Sequence, residues 1–476
     1  MPRSVALLAA SGLSLALLAA PAAPSLAGPT AARSSHVGGD FDGDGHPDIA
    51  IGAPGGNRVM VRYTHASPGG SHVVYLRPNS ASFHTPAGFG AALAVGDFNG
   101  DGFADLAVGA PSYTNPPTGG GVLETRGAVF VFHGTAHGLV DNPLALKGPY
   151  DGGDPFELGG ALVATDVNGD GRSDLAVTLW GADNGNIRIY HGSATGLGTT
   201  FQALDDFEAT TLAFGDVNGD HHPELIAGST VDLDNPTDIF YGDVMIWHGT
   251  AAGIQATSSH KIRGDQVGVF RMFGNAVAAG DVNGDGFADV VVGEAYDRSV
   301  SHASAGTIVL LTGSPHGLRA SRHQRLNEKR LNTHWHDGNG FGSSLAVIRV
   351  NGDRFGDVAV GAERELVSGT HQAGAVYLVR GSASGLTVHH AQRITQQTAG
   401  IPGALVHRAH FGTAVWGANL DTDHFGDVVV GVPDSGTSSR GGGFVRIPGS
   451  SSGLHPAAAS GVFSHRHGYR LGTSVR

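Results

Sequence analysis

The chain has no cysteine and few charged or aromatic residues. Of its 476 residues, 15% are charged and 7% are aromatic. Without cysteine, disulfide bonds, thiolate metal sites and lipid-modified cysteines are all excluded. The net charge is −13 and no basic cluster is present, so nucleic acid is not an expected partner. Glycine, in contrast, occurs 76 times, a composition typical of a turn-rich β protein rather than a helical bundle.

Long apolar runs are also scarce, and the one that exists lies at the N-terminus. Arg3 precedes an apolar stretch over residues 5–20, and Ser25-Leu26-Ala27 ends it with small residues. This pattern is typical of a secretory signal peptide. No later apolar run reaches the roughly 20 residues of a membrane-spanning helix, so no transmembrane anchor is expected. We predict a signal peptide over 1–27, a short linker over 28–35, a folded domain over 36–476, and a secreted, extracellular protein.

A short acidic phrase recurs seven times. It has the form Asp-x-Asp/Asn-Gly-Asp-Gly-x-x-Asp and runs into an apolar strand that often ends in Gly-Ala-Pro. Successive copies are about 63 residues apart, and half of all Asp and Glu residues lie at their positions 1, 3, 5 and 9. The negative charge is therefore concentrated in these loops. The copies begin at Asp40, Asp97, Asp166, Asp216, Asp281, Arg349 and Asn419.

The spacing of the acidic residues predicts a calcium site in each loop. Side chains at positions 1, 3 and 5 of a tight loop point to one centre, position 7 can offer a carbonyl oxygen, and position 9 closes the shell. Such hard oxygen ligands suit Ca²⁺ rather than zinc or copper. An EF-hand is excluded because position 12 lies within a strand and holds no glutamate. For any single copy, an Asx-rich turn without metal is the alternative.

The copies are not equivalent. The sixth has Arg349 at position 1 and Arg354 at position 6, so it is predicted not to bind. His221 and His424 replace a glycine in the fourth and seventh copies, and Thr422 replaces another in the seventh, which predicts weaker binding. The predicted calcium ligands are Asp40, Asp42, Asp44, Asp48, Asp97, Asn99, Asp101, Asp105, Asp166, Asn168, Asp170, Asp174, Asp216, Asn218, Asp220, Glu224, Asp281, Asn283, Asp285, Asp289, Asn419, Asp421, Asp423 and Asp427.

Each repeat has room for four strands. A Phe-Gly or Leu-Gly strand precedes the loop, and an alternating strand, a Gly-rich turn and a polar fourth strand follow the second strand. Seven such repeats without crossover helices predict an all-β fold, a seven-bladed β-propeller of four-stranded antiparallel blades. The segment Tyr469–Arg476 matches the first strand that is missing before Asp40. This predicts that the C-terminal strand closes the ring; a truncated eighth repeat is the alternative.

The phrase GDFNGDGFADLAVGAP, preceded by a Phe-Gly strand from Phe89, resembles the FG-GAP repeat of the integrin α-subunit head. The resemblance covers about residues 36–476. It implies a β-propeller that binds calcium and an integrin-alpha-like role in cell adhesion. FG-GAP propellers also occur beside enzyme domains, as in the phospholipase D that releases glycosylphosphatidylinositol anchors. The resemblance therefore leaves both adhesion and hydrolysis open.

The residues favour a binding or adhesion module whose partner is an unknown extracellular protein or glycan. The alternative is a secreted hydrolase, phospholipase or esterase-like, with its site at the central channel. No catalytic residue is predicted, because the esterase-like pattern Gly449–Gly453 occupies the slot of a repeated turn. The tripeptide from Arg263 to Asp265 lies at the end of an expected outer strand and is not interpreted as a functional motif, and most of the 26 histidines are interpreted as solvated.

Partner binding is predicted on the face opposite the calcium loops. That face carries the loops that differ most between repeats, and binding residues commonly lie on variable loops of a rigid scaffold. Trp335 is the predicted contact residue within them. The variable segments are Ser112–Arg126, Thr230–Gly242, Glu294–Ala305, Asn332–Gly340 and Glu363–Ala373.

Overall fold

A computed structural model shows seven four-stranded antiparallel sheets. It describes residues 39–64, 72–78, 87–115, 124–141, 143–149, 156–181, 186–230, 242–269, 272–295, 306–331, 338–421, 423–434, 441–464 and 470–475. Within these ranges the only helices are short 3₁₀ turns, and none could cross a membrane. The predicted signal peptide, the linker and Trp335 lie outside the described residues and stay predictions.

Each sheet is one blade, built from strands that follow one another along the chain. Blade 1 alone takes a strand from the other end of the chain. The strands of blades 1 to 4 are Ile49–Ala53, Arg58–Tyr63, His72–Leu76 and Ser474–Val475; Leu93–Gly96, Asp105–Ala110, Ala128–Phe132 and Leu144–Lys147; Glu157–Thr165, Asp174–Trp180, Asn186–Tyr190 and Gln202–Asp205; and Thr211–Gly215, Glu224–Ser229, Asp243–Trp247 and Ser259–Arg263.

Blades 5 to 7 follow the same plan. Their strands are Ala276–Gly280, Asp289–Glu294, Thr307–Leu311 and His323–Asn327; Phe341–Ile348, Asp357–Ala362, Ala375–Arg380 and Thr387–Ile394; and Val415–Ala418, Asp427–Val432, Gly443–Ile447 and Ser460–Phe463. A small hairpin and four 3₁₀ turns add to the blades: Thr114–Asn115 with Glu124–Thr125, and Pro54–Gly56, Gly264–Val267, Glu328–Arg330 and Pro456–Ala458.

The first strands of neighbouring blades pack side by side around the ring. The C-terminal strand completes blade 1, where Val475 pairs with Ile51 and Ser474 with Gly52. The same strand packs against the first strand of blade 7. The predicted all-β, seven-bladed propeller closed by the C-terminal strand is thus confirmed.

The repeated glycines are explained by contacts between blades. A Cβ atom on Gly52, in the second strand of blade 1, would overlap the carbonyl oxygen of Gly90 in the Phe-Gly pair of blade 2. The corresponding pairs are Gly109 with Gly159, Gly228 with Gly274, Gly293 with Gly342, Gly361 with Gly412, and Gly431 with Gly472. Only glycine permits this close approach. At the remaining interface Thr178 replaces the glycine, and blade 4 correspondingly lacks a Phe-Gly pair.

The Phe-Gly pairs form corners rather than the beginnings of strands in several blades. The strand predicted from Phe89 begins at Leu93, and the one predicted from Phe411 begins at Val415. The residue before each of these phenylalanines has a positive φ, 67° at Gly88 and 54° at His410. Gly340 before Phe341 also has a positive φ, 75°, and there the strand does begin at the phenylalanine, so this turn by itself does not set where the strand begins.

Candidate metal centre

Six of the seven acidic loops join the first strand of a blade to its second strand, and the loop of blade 1 directly precedes the second strand, because the first strand of that blade comes from the C-terminus. In blade 2 the loop runs between Gly96 and Asp105, and in blade 5 between Gly280 and Asp289. Position 9 of each loop is also the last residue before, or the first residue of, the buried second strand. All seven loops consequently lie on one face of the ring, which we call the loop face.

Each loop holds its shape through hydrogen bonds to its own side chains. In the second loop Asp97 Oδ1 accepts from the amide of Gly100 at 2.7 Å, and Oδ2 accepts from Gly102 at 2.9 Å. Asn99 Oδ1 accepts from the amide of Asp101, whose own Oδ1 accepts from Phe103. These bonds turn the oxygens of positions 1, 3 and 5 toward the inside of the loop. The first, third and fifth loops repeat this pattern.

The oxygens of the first loop converge most clearly. One oxygen each of Asp40, Asp42 and Asp48 can be chosen so that all lie within 4.8 Å of one another. Asp44 Oδ2 is buried and has no hydrogen-bond partner among the described residues. An oxygen-only donor set with an unsatisfied buried oxygen fits a hard cation such as Ca²⁺.

The position-9 carboxylates are buried and fix the loops to the blades. Asp105 Oδ2 accepts from the amide of Phe98 at 2.9 Å, and its Oδ1 accepts from Gly134 after the third strand at 2.8 Å. Burial raises the pKa of Asp48 to about 8, of Glu224 to about 8 and of Asp289 to about 7. A bound cation would favour the ionised form of each of these groups.

Basic side chains approach several of these carboxylates. His133 Nδ1 and His191 Nδ1 each lie 3.2 Å from an oxygen of Asp105 and Asp174, and these carboxylates raise the pKa of both imidazoles. His248 Nδ1 lies 3.5 Å from Glu224 Oε1. Sequence reasoning missed these contacts by treating most histidines as solvated. The available signal was a His-Gly pair after the third strand in three successive repeats.

In blades 6 and 7, an arginine on the third strand contacts the position-9 carboxylate of the acidic loop. Arg380 Nη1 lies 2.9 Å from Asp357 Oδ2, and both side chains are buried. Arg446 contacts both Asp421 and Asp427, so a guanidinium already bridges two predicted ligands of the seventh loop. An internal guanidinium therefore contacts the position-9 carboxylate of each of these two loops, which the sequence predicts to be non-binding and weaker-binding.

The repeats are also found by comparison with known families. The FG-GAP repeat model matches residues 89–132, 273–311 and 341–379, and the FG-GAP-like repeat model matches 40–108 and 166–227. The chain is an FG-GAP repeat protein. The matched ranges include the first six acidic loops. In the sixth of these loops, Arg380 neutralises Asp357.

Two kinds of relative are similar in sequence to part of this chain. Integrin alpha-7 of Rattus norvegicus is 35% identical over 194 residues, 36% of this chain and 16% of the relative. Phosphatidylinositol-glycan-specific phospholipase D of Mus musculus is 32% identical over 263 residues, 49% of this chain and 28% of the relative. Integrin alpha-PS2 of Drosophila melanogaster is 29% identical over 270 residues, which are 54% of this chain and 15% of the relative. The chain thus spans less than a third of each relative.

Two sequence motifs prove to be structural elements of the FG-GAP propeller. In the esterase-like pattern, Ser450 Oγ donates to the carbonyl of Gly453 at 2.7 Å and the segment forms a tight turn, as predicted. In the Arg-Gly-Asp tripeptide, Arg263 Nη2 lies 3.4 Å from Asp265 Oδ2 and Gly264 is buried at the start of a 3₁₀ turn. The two charged groups that a partner would have to contact therefore contact each other.

The face opposite the acidic loops, which we call the variable face, contains a buried acidic network. The Tyr377 hydroxyl lies within hydrogen-bond distance of two carboxylates. It is 3.0 Å from Glu328 Oε1, after blade 5, and 2.9 Å from Glu365 Oε2, in blade 6. Arg393 Nε donates to Glu365 at 2.6 Å, and Asn339 Nδ2 to Glu328 at 2.9 Å. Burial and the two carboxylates raise the pKa of the Tyr377 phenol. The network joins blades 5 and 6 beneath the variable loops.

A second cluster of this face lies where blades 6, 7 and 1 meet. His410 Nδ1 lies 3.0 Å from Asp434 Oδ2, and Arg470 Nη2 lies 3.7 Å from the same oxygen. Thr413 Oγ1 is within hydrogen-bond distance of Glu363 and of the His410 carbonyl. The hydroxyl next to the His-Asp pair is thus hydrogen-bonded to Glu363 and to the His410 carbonyl.

Proposed function

We propose that this protein is a secreted, calcium-stabilised propeller that acts as a binding or adhesion module for an extracellular protein or glycan. The observation that carries the proposal is the difference between its two faces. The loop face repeats one oxygen-lined loop, whereas the variable face carries loops of unequal length and composition. Repetition suits a structural ion, and variety suits recognition of a partner.

Calcium is proposed for the first five loops, where no arginine neutralises the position-9 residue. In each, side-chain oxygens at positions 1, 3, 5 and 9 would hold the ion, which supplies the positive charge that the crowded carboxylates lack. The seventh loop is left out because Arg446 supplies that charge. The proposed ligands begin at Asp40, Asp97, Asp166, Asp216 and Asp281 and follow the repeat to Asp48, Asp105, Asp174, Glu224 and Asp289.

Partner binding is proposed at a strained corner of the variable face, formed by residues 363–373 and 405–414 and called here the blade 6–7 corner. Non-glycine residues with positive φ concentrate there: Ser368 at 47°, Gln372 at 53°, Arg408 at 61° and His410 at 54°. Such conformations carry a cost of about 1–3 kcal/mol each and cluster at functional sites. The strained backbone places residues other than glycine where glycine would be the unstrained choice.

The exposed side chains of the blade 6–7 corner suit a partner with acidic groups. His371, His407 and Arg408 are exposed, and the two imidazole rings lie 6.1 Å apart. The loops that bear them are joined by hydrogen bonds from Arg408 N to His371 O and from His410 N to Gln372 O. A stiff pair of loops presents the cationic group with little loss of conformational entropy on binding.

The proposal is tested in two steps with the full chain. Thermal unfolding is first compared between chelator and about 1 mM calcium, the weak range of extracellular calcium modules, where a higher Tm in calcium is expected. The calcium-loaded protein is then applied to immobilised extracellular proteins and glycans. Arg408→Gly, which removes the side chain and suits its positive φ, together with His371→Ala should reduce capture without lowering the Tm.

The matched control is His389→Ala, which removes an exposed imidazole from the fourth strand of the same blade. Capture that is equally weak in the control and in the corner variant would contradict the proposed corner. Identical Tm values in chelator and calcium would contradict the metal. Turnover of ester, phosphodiester or glycoside substrates that scales with protein concentration would favour the hydrolase instead.

A further inference from the structure

In three of the seven blades, a glutamine side chain on the fourth strand forms hydrogen bonds to the next blade. Gln324, on the fourth strand of blade 5, donates from Nε2 to the carbonyl of Leu386 at 2.7 Å and accepts from the amide of Leu386 at 2.8 Å. Gln392 makes the same two bonds to Leu454 in blade 7, at 3.0 and 2.8 Å. Gln202 donates to Ile254 in blade 4 at 2.7 Å. We call this contact the glutamine clamp.

The interface between blades 4 and 5 lies between two clamped interfaces, and blade 4 has a histidine at the clamp position. Gln324 pairs in register with Leu310, and in blade 4 the residue paired with Ile246 is His260. The residue that corresponds to Leu386 is Leu318, which follows the glycine of the blade 5 turn. No hydrogen bond joins His260 to Leu318 in the described structure. The other blades have Val74, Leu144 and Ser460 at this position.

The blade 4–5 interface, one of four interfaces without a glutamine clamp, is open. A cavity of about 460 Å³ lies on the outer wall between blades 4 and 5, and we call it the blade 4–5 pocket. Val217, Ile246 and Leu318 are buried and give it an apolar floor. Its volume falls within the range of about 300–1,000 Å³ typical of small-ligand sites.

The polar lining of the pocket consists mainly of hydrogen-bond donors. Three imidazoles contribute, from His248, His260 and His316, together with the guanidinium of Arg319 and the amide of Gln266. No carboxylate is found among the described lining residues, although the protein has a net charge of −13. The side chains of His260, His316 and Arg319 make no hydrogen bond to one another or to other described groups.

The histidines do not form a metal site, because no group of three with ligand atoms within 4.8 Å is found here among the described residues. His248 has its Nδ1 3.5 Å from Glu224, which leaves its Nε2 for a ligand. A guanidinium with several imidazoles over an apolar floor matches a ring with an anionic oxygen group at its edge.

We propose that the blade 4–5 pocket binds an acidic saccharide of one or two rings. The carboxylate or sulfate of the sugar contacts Arg319 and the imidazoles, and the face of the ring lies on Leu318 and Ile246. The site is separate from the blade 6–7 corner, so it does not depend on the function proposed for the variable face. The opening between blades 4 and 5 thus serves as a ligand site.

Isothermal titration calorimetry of the full chain at constant calcium tests the proposal, with glucuronate, glucose 6-sulfate, glucose and inorganic sulfate as probes. Saturable binding of glucuronate is expected, with glucose at least about tenfold weaker. Glucose 6-sulfate distinguishes a sulfated from a carboxylated ligand, and binding of inorganic sulfate as tight as that of both acidic sugars would contradict a saccharide site. Absence of saturable binding by either acidic sugar would also overturn it.

Two variants locate the site. His260→Gln should restore the clamp to Leu318, close the pocket and abolish saccharide binding while the Tm is kept or raised. Arg319→Met, at an exposed side chain, should weaken binding about tenfold or more and leave the Tm unchanged. Acidic-sugar binding that survives both substitutions would overturn the assignment.

Gln324→His is the matched control, because it removes a clamp at the interface of blades 5 and 6. It should lower the Tm and leave saccharide affinity unchanged, since the new opening lacks the other imidazoles and Arg319. Loss of saccharide binding in this control would show that the effect of position 260 is general to the ring and would contradict the pocket.

Discussion

Ser474 Oγ donates a 2.8 Å hydrogen bond to the carbonyl oxygen of Gly90, and so the last strand of the chain is held against the second blade. Gly472 N donates to the carbonyl of Gly52 at 3.0 Å beside it. These contacts join residues at least 384 positions apart in the sequence. The chain has no cysteine, so the ring is closed by hydrogen bonds, glycine packing and the burial of Leu471 and Val475 in an apolar cluster rather than by a disulfide.

Removal of residues 469–476 is therefore expected to open the ring. The deletion takes away the first strand of blade 1 and exposes sheet edges, so the Tm should fall by many degrees and aggregation should increase. Ser474→Ala is the control, because it removes one hydrogen bond of about 1 kcal/mol and keeps the strand. Differential scanning calorimetry checks both; a truncated protein that melts like the full chain would contradict ring closure as a source of stability.

A pair of matched substitutions tests the difference between loops. Asp285→Asn changes position 5 of the fifth loop and should remove about one bound calcium per chain, because it replaces a charged ligand. Asp353→Asn makes the same change in the sixth loop, where Arg380 holds Asp357, and should leave the stoichiometry unaltered. Calcium titration by calorimetry measures both; an equal loss in the two variants would refute the distinction.

The seventh loop offers a gain-of-binding test. Arg446→Met keeps the length of the side chain and removes the guanidinium that contacts Asp421 and Asp427. Three acidic side chains then remain without a counter-ion, and the variant should bind one more calcium than the wild type. In chelator it should be less stable than the wild type. An unchanged stoichiometry would mean that Arg446 is not what keeps calcium out.

The stability of the metal-free protein should fall as pH rises. Asp48 and Asp289 have a pKa raised to about 8 and about 7 by burial, so the folded chain holds protons that the unfolded chain releases near pH 4. Between about pH 4 and pH 8 the folded state binds more protons, and stability is lost as pH rises. Unfolding in chelator at pH 5, 6, 7 and 8 measures this trend, which saturating calcium should reduce. A Tm in chelator that rises over this range would contradict it.

The acidic network below the variable face should depend on one phenol. Tyr377→Phe removes the hydroxyl between the Glu328 and Glu365 carboxylates and should lower the free energy of unfolding by about 1–3 kcal/mol. Tyr75→Phe is the control at an exposed tyrosine, expected within about 0.5 kcal/mol of the wild type. Urea unfolding measures both. Equal stabilities of the two variants would mean that the network needs no hydrogen bond from Tyr377.

The loops and the blades could be predicted because their determinants are local. The bonds from Asp97 to Gly100 and Gly102 span three and five residues, so a single repeat contains the information for its own loop. The prediction of strand beginnings at Phe89 and Phe411 was less accurate, because the Phe-Gly pair forms a corner that packs against the neighbouring blade, as Gly90 does against Gly52. Such a corner has no periodic pattern in the sequence.

The sequence by itself determined the repeat, the order of strands and the acidic set of each loop, because each of these follows from residues a few positions apart. It also indicated ring closure, because the C-terminal segment matches the strand that is missing before Asp40. Only the tertiary structure decided which loops have their own cation. Arg380 meets Asp357 from 23 residues away, and Arg446 meets Asp427 from 19, across strands whose register must form first. The tertiary structure also decided that His260 faces an open pocket. The residue that a glutamine at this position would contact, Leu318, belongs to the next blade.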